Sequence, residues 1–263
     1  MPDTSRARAV KLSDGTSVKI EYIDKVESVS AIAREYARNG YPDRYVILSE
    51  NQRDTSLTGG RVREGDYEHG IFLSCILKPP FFPHQAGLLG HLLAVGVINA
   101  LEQHTQKRLG LGWVTDVYCE GVKIGGCAIE GKLTSYSAYE YMIITIAVRI
   151  DQKNFPPRLS DIVRKVFSKR DESIPTIIAE TMLAKLFEAY ASVRTPAKQM
   201  DVYKRKFLLV GKKIKHITPE GKHTVEVLDV DRDAGSLIVR TAHGQRLEIK
   251  SPSSVVMPKR VKI

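Results

Sequence analysis

GWVTDVYCEGVKIGGCAIE, residues 112–130, carries the strand signal around which the rest of the chain arranges itself. Two apolar runs, 113–118 and 122–130, flank a short turn at Glu120-Gly121, and that pattern predicts a β-hairpin. Lys123 is the only lysine between Lys107 and Lys132, in an otherwise apolar stretch, and Gly125 and Gly126 follow it. A glycine pair inside a strand costs stability and has nothing to pack, so it points to close approach of a ligand or of another backbone. Two readings of Lys123 stand side by side: a ligand-contacting base, or an edge lysine that blocks aggregation. Asp116 on the preceding strand is suited to face a cation. Trp113 can stack on a ring or fill the core.

Residues 140–150 are a third strand-like run beyond the hairpin, and 18–23, 45–48 and 71–77 add three more. Ser28 has the character of a helix N-cap; Ala31, Ile32, Tyr36 and Ala37 follow at helical spacing, and Asn39-Gly40 supplies the stop. Residues 87–106 predict a long helix that is apolar on most sides, and 159–167 and 174–191 predict two more. Residues 51–67 are polar and read as a loop, and residues 1–17 read as a flexible lead-in. Runs of strands with helices against one face make an α+β domain, a mixed sheet with helices packed on it. After Lys206 the pattern changes. Residues 208–210, 224–230, 236–241 and 245–249 are short alternating strands, with turns at Pro219-Glu220-Gly221, Asp233-Ala234-Gly235 and His243-Gly244. That spacing predicts a small barrel over 207–263 behind a larger domain over 18–206.

The 263 residues are 43% hydrophobic and 27% charged, enough to bury a core and unlike a disordered chain. No apolar run reaches the roughly 20 residues a membrane span needs. The opening MPDTSRARAVKLSDG has no apolar segment of a secretory signal. Cys75, Cys119 and Cys127 have no CxxC spacing and read as reduced core cysteines of a cytoplasmic protein. No zinc-ligand spacing occurs, so no metal site is expected from the chain itself. The net charge of +10 gathers late, at Lys198, Lys204, Arg205, Lys206, Lys212, Lys213 and Lys215. It fits an acidic partner or a solvated basic face. No aromatic residue follows Phe207, which argues against base stacking and so against a nucleic-acid partner.

Upstream of the hairpin, Gln52-Arg53 leads into Thr58-Gly59-Gly60-Arg61-Val62-Arg63. Adjacent glycines let the backbone approach a ligand, exposed N–H groups in such a turn bind anions, and the arginines add charge for a phosphate or carboxylate. A plain polar loop accounts for the same residues.

Taken in order, these segments resemble the biotin protein ligases, within the wider biotin/lipoate ligase group, from about residue 20 onward. Gly121-Val122-Lys123-Ile124-Gly125-Gly126, with Ala128-Ile129-Glu130, resembles that family's G-x-K-[IL]-[AG]-G-I-L-x-E, whose lysine contacts the ligand. Trp113 and Asp116 stand where the family has K-W-P-N-D, with Gly112, Val114 and Thr115 in place of its lysine, proline and asparagine. Glu50-Asn51-Gln52 is similar to the E-x-Q before its Gly-Arg loop. Ser28 keeps the serine of D-S-T-N, while Val29 and Ser30 replace the next two residues. His69-Gly70-Ile71-Phe72-Leu73-Ser74 resembles the strand N-L-x-x-S. Residues 144–150 match G-x-G-I-N in position and Asn154-Phe155-Pro156 the sequence after it, but Thr145, Ala147 and Arg149 replace both glycines and the asparagine. Tyr203-Lys204-Arg205 ahead of Leu209-Val210-Gly211-Lys212 resembles the approach to the family's C-terminal SH3-like domain. No N-terminal helix-turn-helix is recognisable, as in family members without a DNA-binding domain.

The resemblance implies a class II synthetase-like catalytic module, an SH3-like barrel, and an ATP-dependent ligase. Such a ligase activates biotin or a related acid as an acyl-adenylate and transfers it to a lysine of an acyl carrier domain. With it come ATP, Mg2+ and biotin, a biotin carrier domain as partner, no membrane, and a homodimer as one open assembly. Lys123 would be catalytic, holding the carboxylate and then the acyl phosphate. Ser28, Gln52, Gly59, Gly60, Arg61, Arg63, Gly125 and Gly126 would bind substrate, and Trp113, Thr115, Asp116 and Arg149 the nucleotide. The replaced residues leave three other readings: lipoate or octanoate as the acid, a member that binds without catalysis, and a basic nucleic-acid-binding protein.

Overall fold

A computed structural model describes residues 6–12, 15–53, 56–57, 61–62, 70–150 and 174–263. In chain order the strands are β1 (Arg6–Lys11), β2 (Ser17–Tyr22), β3 (Lys25–Val26), β4 (Tyr45–Ser49), β5 (Asn51–Gln52), β6 (Ser56–Leu57), β7 (Arg61–Val62), β8 (Gly70–Leu77), β9 (Leu109–Leu111), β10 (Asp116–Cys119), β11 (Val122–Leu133), β12 (Tyr139–Arg149), β13 (Lys213–Thr218), β14 (Gly221–Val230), β15 (Leu237–Arg240), β16 (Arg246–Ile249) and β17 (Val255–Val256). The helices are α1 (Val29–Arg38), α2 (Leu89–Glu102), α3 (Ile174–Ala191) and α4 (Ala197–Lys206). Among the described residues, no helix is long and apolar enough to cross a membrane.

The main sheet runs β1-β2-β4-β8-β12-β11-β10-β9. Its one parallel pair is β2 with β4; the other neighbours are antiparallel. Every residue of β4 and β8 is buried, which explains why they read as continuous apolar runs rather than alternating ones. One face carries α1, whose Val29, Ala33 and Ala37 cluster with Phe72, Ile143 and Ala147. The other carries the larger core of α2, α3 and α4. Helices therefore cover both faces, not one. The α1 start follows its sequence signal: Ser28 is extended, and its Oγ accepts a hydrogen bond from Ala31 N–H.

Several expectations change. Part of the lead-in, Arg6–Lys11, is β1, paired along its whole length with β2. Arg6-Ala7-Arg8-Ala9 alternates charged and small apolar residues, a weak strand signal that the full pairing with β2 realises. The run 113–118 starts as a turn, and β10 begins only at Asp116. The basic stretch before Lys206 is helix α4, with Met200 and Tyr203 as its buried side. Within the expected loop 51–67 lie the short strands β5, β6 and β7, with β6 and β7 paired to each other. The helix expected over 159–167 and Asn154-Phe155-Pro156 lie outside the described residues.

The C-terminal strands form a five-stranded antiparallel sheet, β16-β15-β14-β13-β17. Its hydrogen-bonded order is open: β16 and β17 are edges. The apolar core does not stop at Lys206, because Ile214, Val225, Val227, Leu237 and Val261 belong to the same cluster as the face covered by α2, α3 and α4.

Candidate functional site

Lys123 and Asp116 stand on the adjacent strands β11 and β10, and Lys123 Nζ lies 2.7 Å from Asp116 Oδ2. The β10–β11 ladder pairs Asp116 with Gly126 and Tyr118 with Lys123, with a bulge between that shifts the register. Such a bulge re-aims side chains. Directly opposed residues share a face of a sheet. Asp116 opposes Gly126, Gly126 opposes Ala147, Ala147 opposes Phe72, and Phe72 belongs to the α1 cluster. The carboxylate thus stands on the α1 side of the sheet, and Lys123 reaches it there.

The glycine pair has a backbone cause. A Cβ on Gly125 would stand 2.1 Å from Ala147 O, and one on Gly126 2.7 Å from Thr115 O. Of the two causes left open by the sequence, a neighbouring backbone is present at both positions.

At the other end of this face, Gln52 Oε1 accepts a hydrogen bond from Val29 N–H at 3.0 Å. Ser28 Oγ lies 3.0 Å from Ser30 Oγ, and Ser28 and Gln52 are both buried. The structure therefore brings Ser28 and Gln52 together at the α1 N-terminus, beside the cluster that holds Phe72 and Ala147. Arg34 of α1 forms two hydrogen bonds to the Glu130 carboxylate of β11, at 3.0 and 3.2 Å, which ties the helix to the lysine strand. Between the two ends lies a buried hydroxyl pair, Ser74 Oγ and Thr145 Oγ1, 2.8 Å apart. Sequence reading had no role for this pair; the signal was a hydroxyl in each of two apolar strands. Arg149 closes the face opposite Gly70.

The residues expected at the nucleotide do not all share this face. Trp113 is buried, and its Nε1 donates to Gly235 O at 2.7 Å, so it ties the main sheet to the C-terminal sheet. Thr115 Oγ1 donates to Cys127 O at 2.7 Å. Trp113, Thr115 and Asp116 line a cavity of about 420 Å³, together with His91, Gly235, Ser236 and Lys250. Burial lowers the His91 ring to about 4, so it is neutral near pH 7. Gly59, Gly60 and Arg63 lie outside the described residues. Of Arg61 the backbone is described, paired with Leu57. Among the described residues no group of three His, Cys, Asp or Glu side chains could hold a metal ion.

No protein-family model matches the chain. The bifunctional ligase/repressor BirA of Bacillus subtilis is 25% identical over 230 residues, covering 85% of this chain and 70% of that protein, and its counterpart in Bacillus spizizenii matches equally. Among solved structures, the biotin protein ligase of Aquifex aeolicus in complex with biotin and ATP superposes with a TM-score of 0.69 at 20% identity, over 90% of this chain and 97% of that one. The Leishmania major biotin protein ligase in complex with biotinyl-5-AMP gives a TM-score of 0.57 at 17% identity, over 88% and 98%. A biotin protein ligase-like protein of unknown function from Silicibacter gives 0.64 at 13%, over 91% and 97%. The chain is thus similar in sequence to two bifunctional ligase/repressors and shares the fold of the biotin protein ligases.

Proposed function

We propose that the chain is an ATP-dependent ligase that activates biotin or a related acid as an acyl-adenylate and passes it to a lysine of an acyl carrier domain. One observation carries the reading: the Lys123–Asp116 pair stands on the same sheet face that the Ser28–Gln52 end of α1 overlies. A carboxylate and the α-phosphate of ATP are both anions, and a fixed cation between them offsets their repulsion. The acid's oxygen attacks the α-phosphorus, and pyrophosphate leaves. The carrier's amine then attacks the acyl carbon, and AMP leaves. Lys123 would hold the carboxylate and stabilise the charge that grows on the phosphoryl oxygens. Asp116 would hold the ammonium in place between turnovers. Ser28 and Gln52 would bind the acid's polar head, with Gly126 leaving the face low where the ligand lies. Gly59, Gly60, Arg61 and Arg63 would gather phosphate and shield the anhydride from water. Thr115 and Arg149 would serve the nucleotide, with Trp113 supporting them from the core. Mg2+ would arrive as the counter-ion of ATP, held by phosphate and water.

Residues 18–206 would form the catalytic domain and 207–263 an SH3-like module. The five-stranded order with a short 3-10 turn at Pro252–Ser254 ahead of β17 supports that. That Cys75, Cys119 and Cys127 form no disulfide supports a reducing, cytoplasmic setting. A homodimer through the β1 edge of the main sheet is the assembly to test.

The test is ATP–pyrophosphate exchange with a panel of acids, wild type against Lys123→Ala. Exchange with biotin supports the plain reading, and exchange with lipoate or octanoate moves the specificity. No exchange with any acid from folded protein would sink it. The substitutions Thr145 and Ala147 on this face favour one second reading, a homologue that binds its acid without activating it. Biotin binding without exchange would identify that case.

A further inference from the structure

The segment after β17 adds a short strand to the lysine hairpin. Lys123 N–H donates to Lys259 O at 3.0 Å, and Val261 N–H donates to Gly121 O at 2.7 Å. Val122 and Arg260 form an antiparallel bridge. Tyr118 OH donates to Pro258 O at 2.5 Å. Burial, with Asp116 adding to it, raises the Tyr118 phenol above its ordinary range and keeps the donor proton on it. The fit is close: Gly121 has φ +74, and a Cβ there would stand 2.1 Å from Val261 O. Val261 is buried in the core shared with the main sheet.

The β12 ladder on β11 reaches only as far as Gly125. At Val122 and Lys123 the backbone is instead held by β10 and by residues 259–261. A lysine with four rotatable side-chain bonds can hold a reacting group only if its own backbone is fixed.

We propose that residues Pro258–Val261 are a positioning strand for Lys123, added to the catalytic sheet by the C-terminal segment so that the lysine's main chain is fixed where β12 no longer reaches it. The proposal rests on the ligase reading for its consequence, but not for its structural content. It makes the C-terminal segment part of the catalytic geometry through hydrogen bonds to backbone, with no side chain of its own at the substrate.

The experiment uses two variants of the full chain, Val261→Pro, which removes the N–H donated to Gly121, and deletion of residues 258–263, with Lys262→Ala as control. Amide hydrogen exchange is measured at Val122, Lys123 and Ile124 against β8 and β12, beside kcat and KM for the acid in pyrophosphate exchange. Expected are exchange at Lys123 at least tenfold faster with β8 and β12 unchanged, kcat at least tenfold lower, and partial recovery of the deleted protein by a peptide of residues 257–263. A merely structural role would loosen the whole sheet and would not spare β8 and β12. Unchanged protection at Lys123 in both variants overturns the proposal, as does unchanged kcat in a wild-type-active enzyme. If wild type catalyses no exchange, the ligase reading fails, and the hydrogen-exchange result still decides whether this strand fixes Lys123.

Discussion

Replacing Lys123 by alanine removes the cation that pairs with Asp116. The ion pair spans 2.7 Å, with the lysine side chain 36% exposed and the aspartate 11%. Coulomb's law at that distance gives about 6 kcal/mol for an effective dielectric of ~20 and about 1.5 kcal/mol for water. Withdrawing the carboxylate from water takes back a large part of this, so a net value of roughly 1–3 kcal/mol is expected. Lys123→Ala leaves a mostly buried carboxylate without its cation and should destabilise the fold by about 2–3 kcal/mol in urea titration. Asp116→Asn keeps the fold to within about 1 kcal/mol, because an exposed ammonium tolerates solvent. The double variant should lose less than the two singles summed. For activity, removing one fixed charge that offsets transition-state charge costs roughly 100- to 1,000-fold in kcat. Asp116→Asn should lower kcat less, because the charge stays and only its position loosens. Lys123→Ala within threefold of wild-type exchange would refute the role given to this lysine, whatever the stability result.

Gly125→Ala should be poorly tolerated, about 3 kcal/mol or more by thermal or urea unfolding, because its Cβ would meet the Ala147 carbonyl oxygen at 2.1 Å. Ser74→Ala should cost about 1–2 kcal/mol by leaving the Thr145 hydroxyl without its partner, while Ser74→Ala with Thr145→Val should cost less than that single change. His91 titrates near 4 in the folded chain against 6.5 for an ordinary ring, so between those values the unfolded state holds the extra proton. Stability should therefore fall as the pH is lowered from 6.5 to 4, by a total on the order of 2–3 kcal/mol, and His91→Phe should flatten that slope in unfolding curves.

Local chemistry was legible. The turn at Glu120-Gly121, the Ser28 cap and the apolar run of β8 each carry their own cause within a few residues, and all three formed where the sequence indicated. Lys123 stood out as a lone base among apolar residues, and Asp116 as its counter-charge two strand ends away. The glycine pair signalled close approach without saying of what. Ser74 and Thr145 stood out only as one hydroxyl in each of two apolar strands, which acquires meaning only when the two face each other across the ladder. Trp113 could be weighed only as ring stacker or core; its bond to Gly235 spans 122 residues.

The sequence by itself determined the strands and helices whose periodicity, caps and turns are local, and it singled out the lysine. Tertiary structure alone decided three other things: that Arg6–Lys11 pairs along its whole length with β2, that Gly125 and Gly126 answer to the carbonyls of Ala147 and Thr115, and that the segment after β17 closes over the lysine hairpin. The physical reason is the same in each case. A backbone N–H or C=O is present at every position regardless of residue type, so its partner is fixed by which chains the fold brings alongside. Lys123 is readable as a charge in the sequence; the framework that aims it is built from hydrogen bonds that no residue type announces.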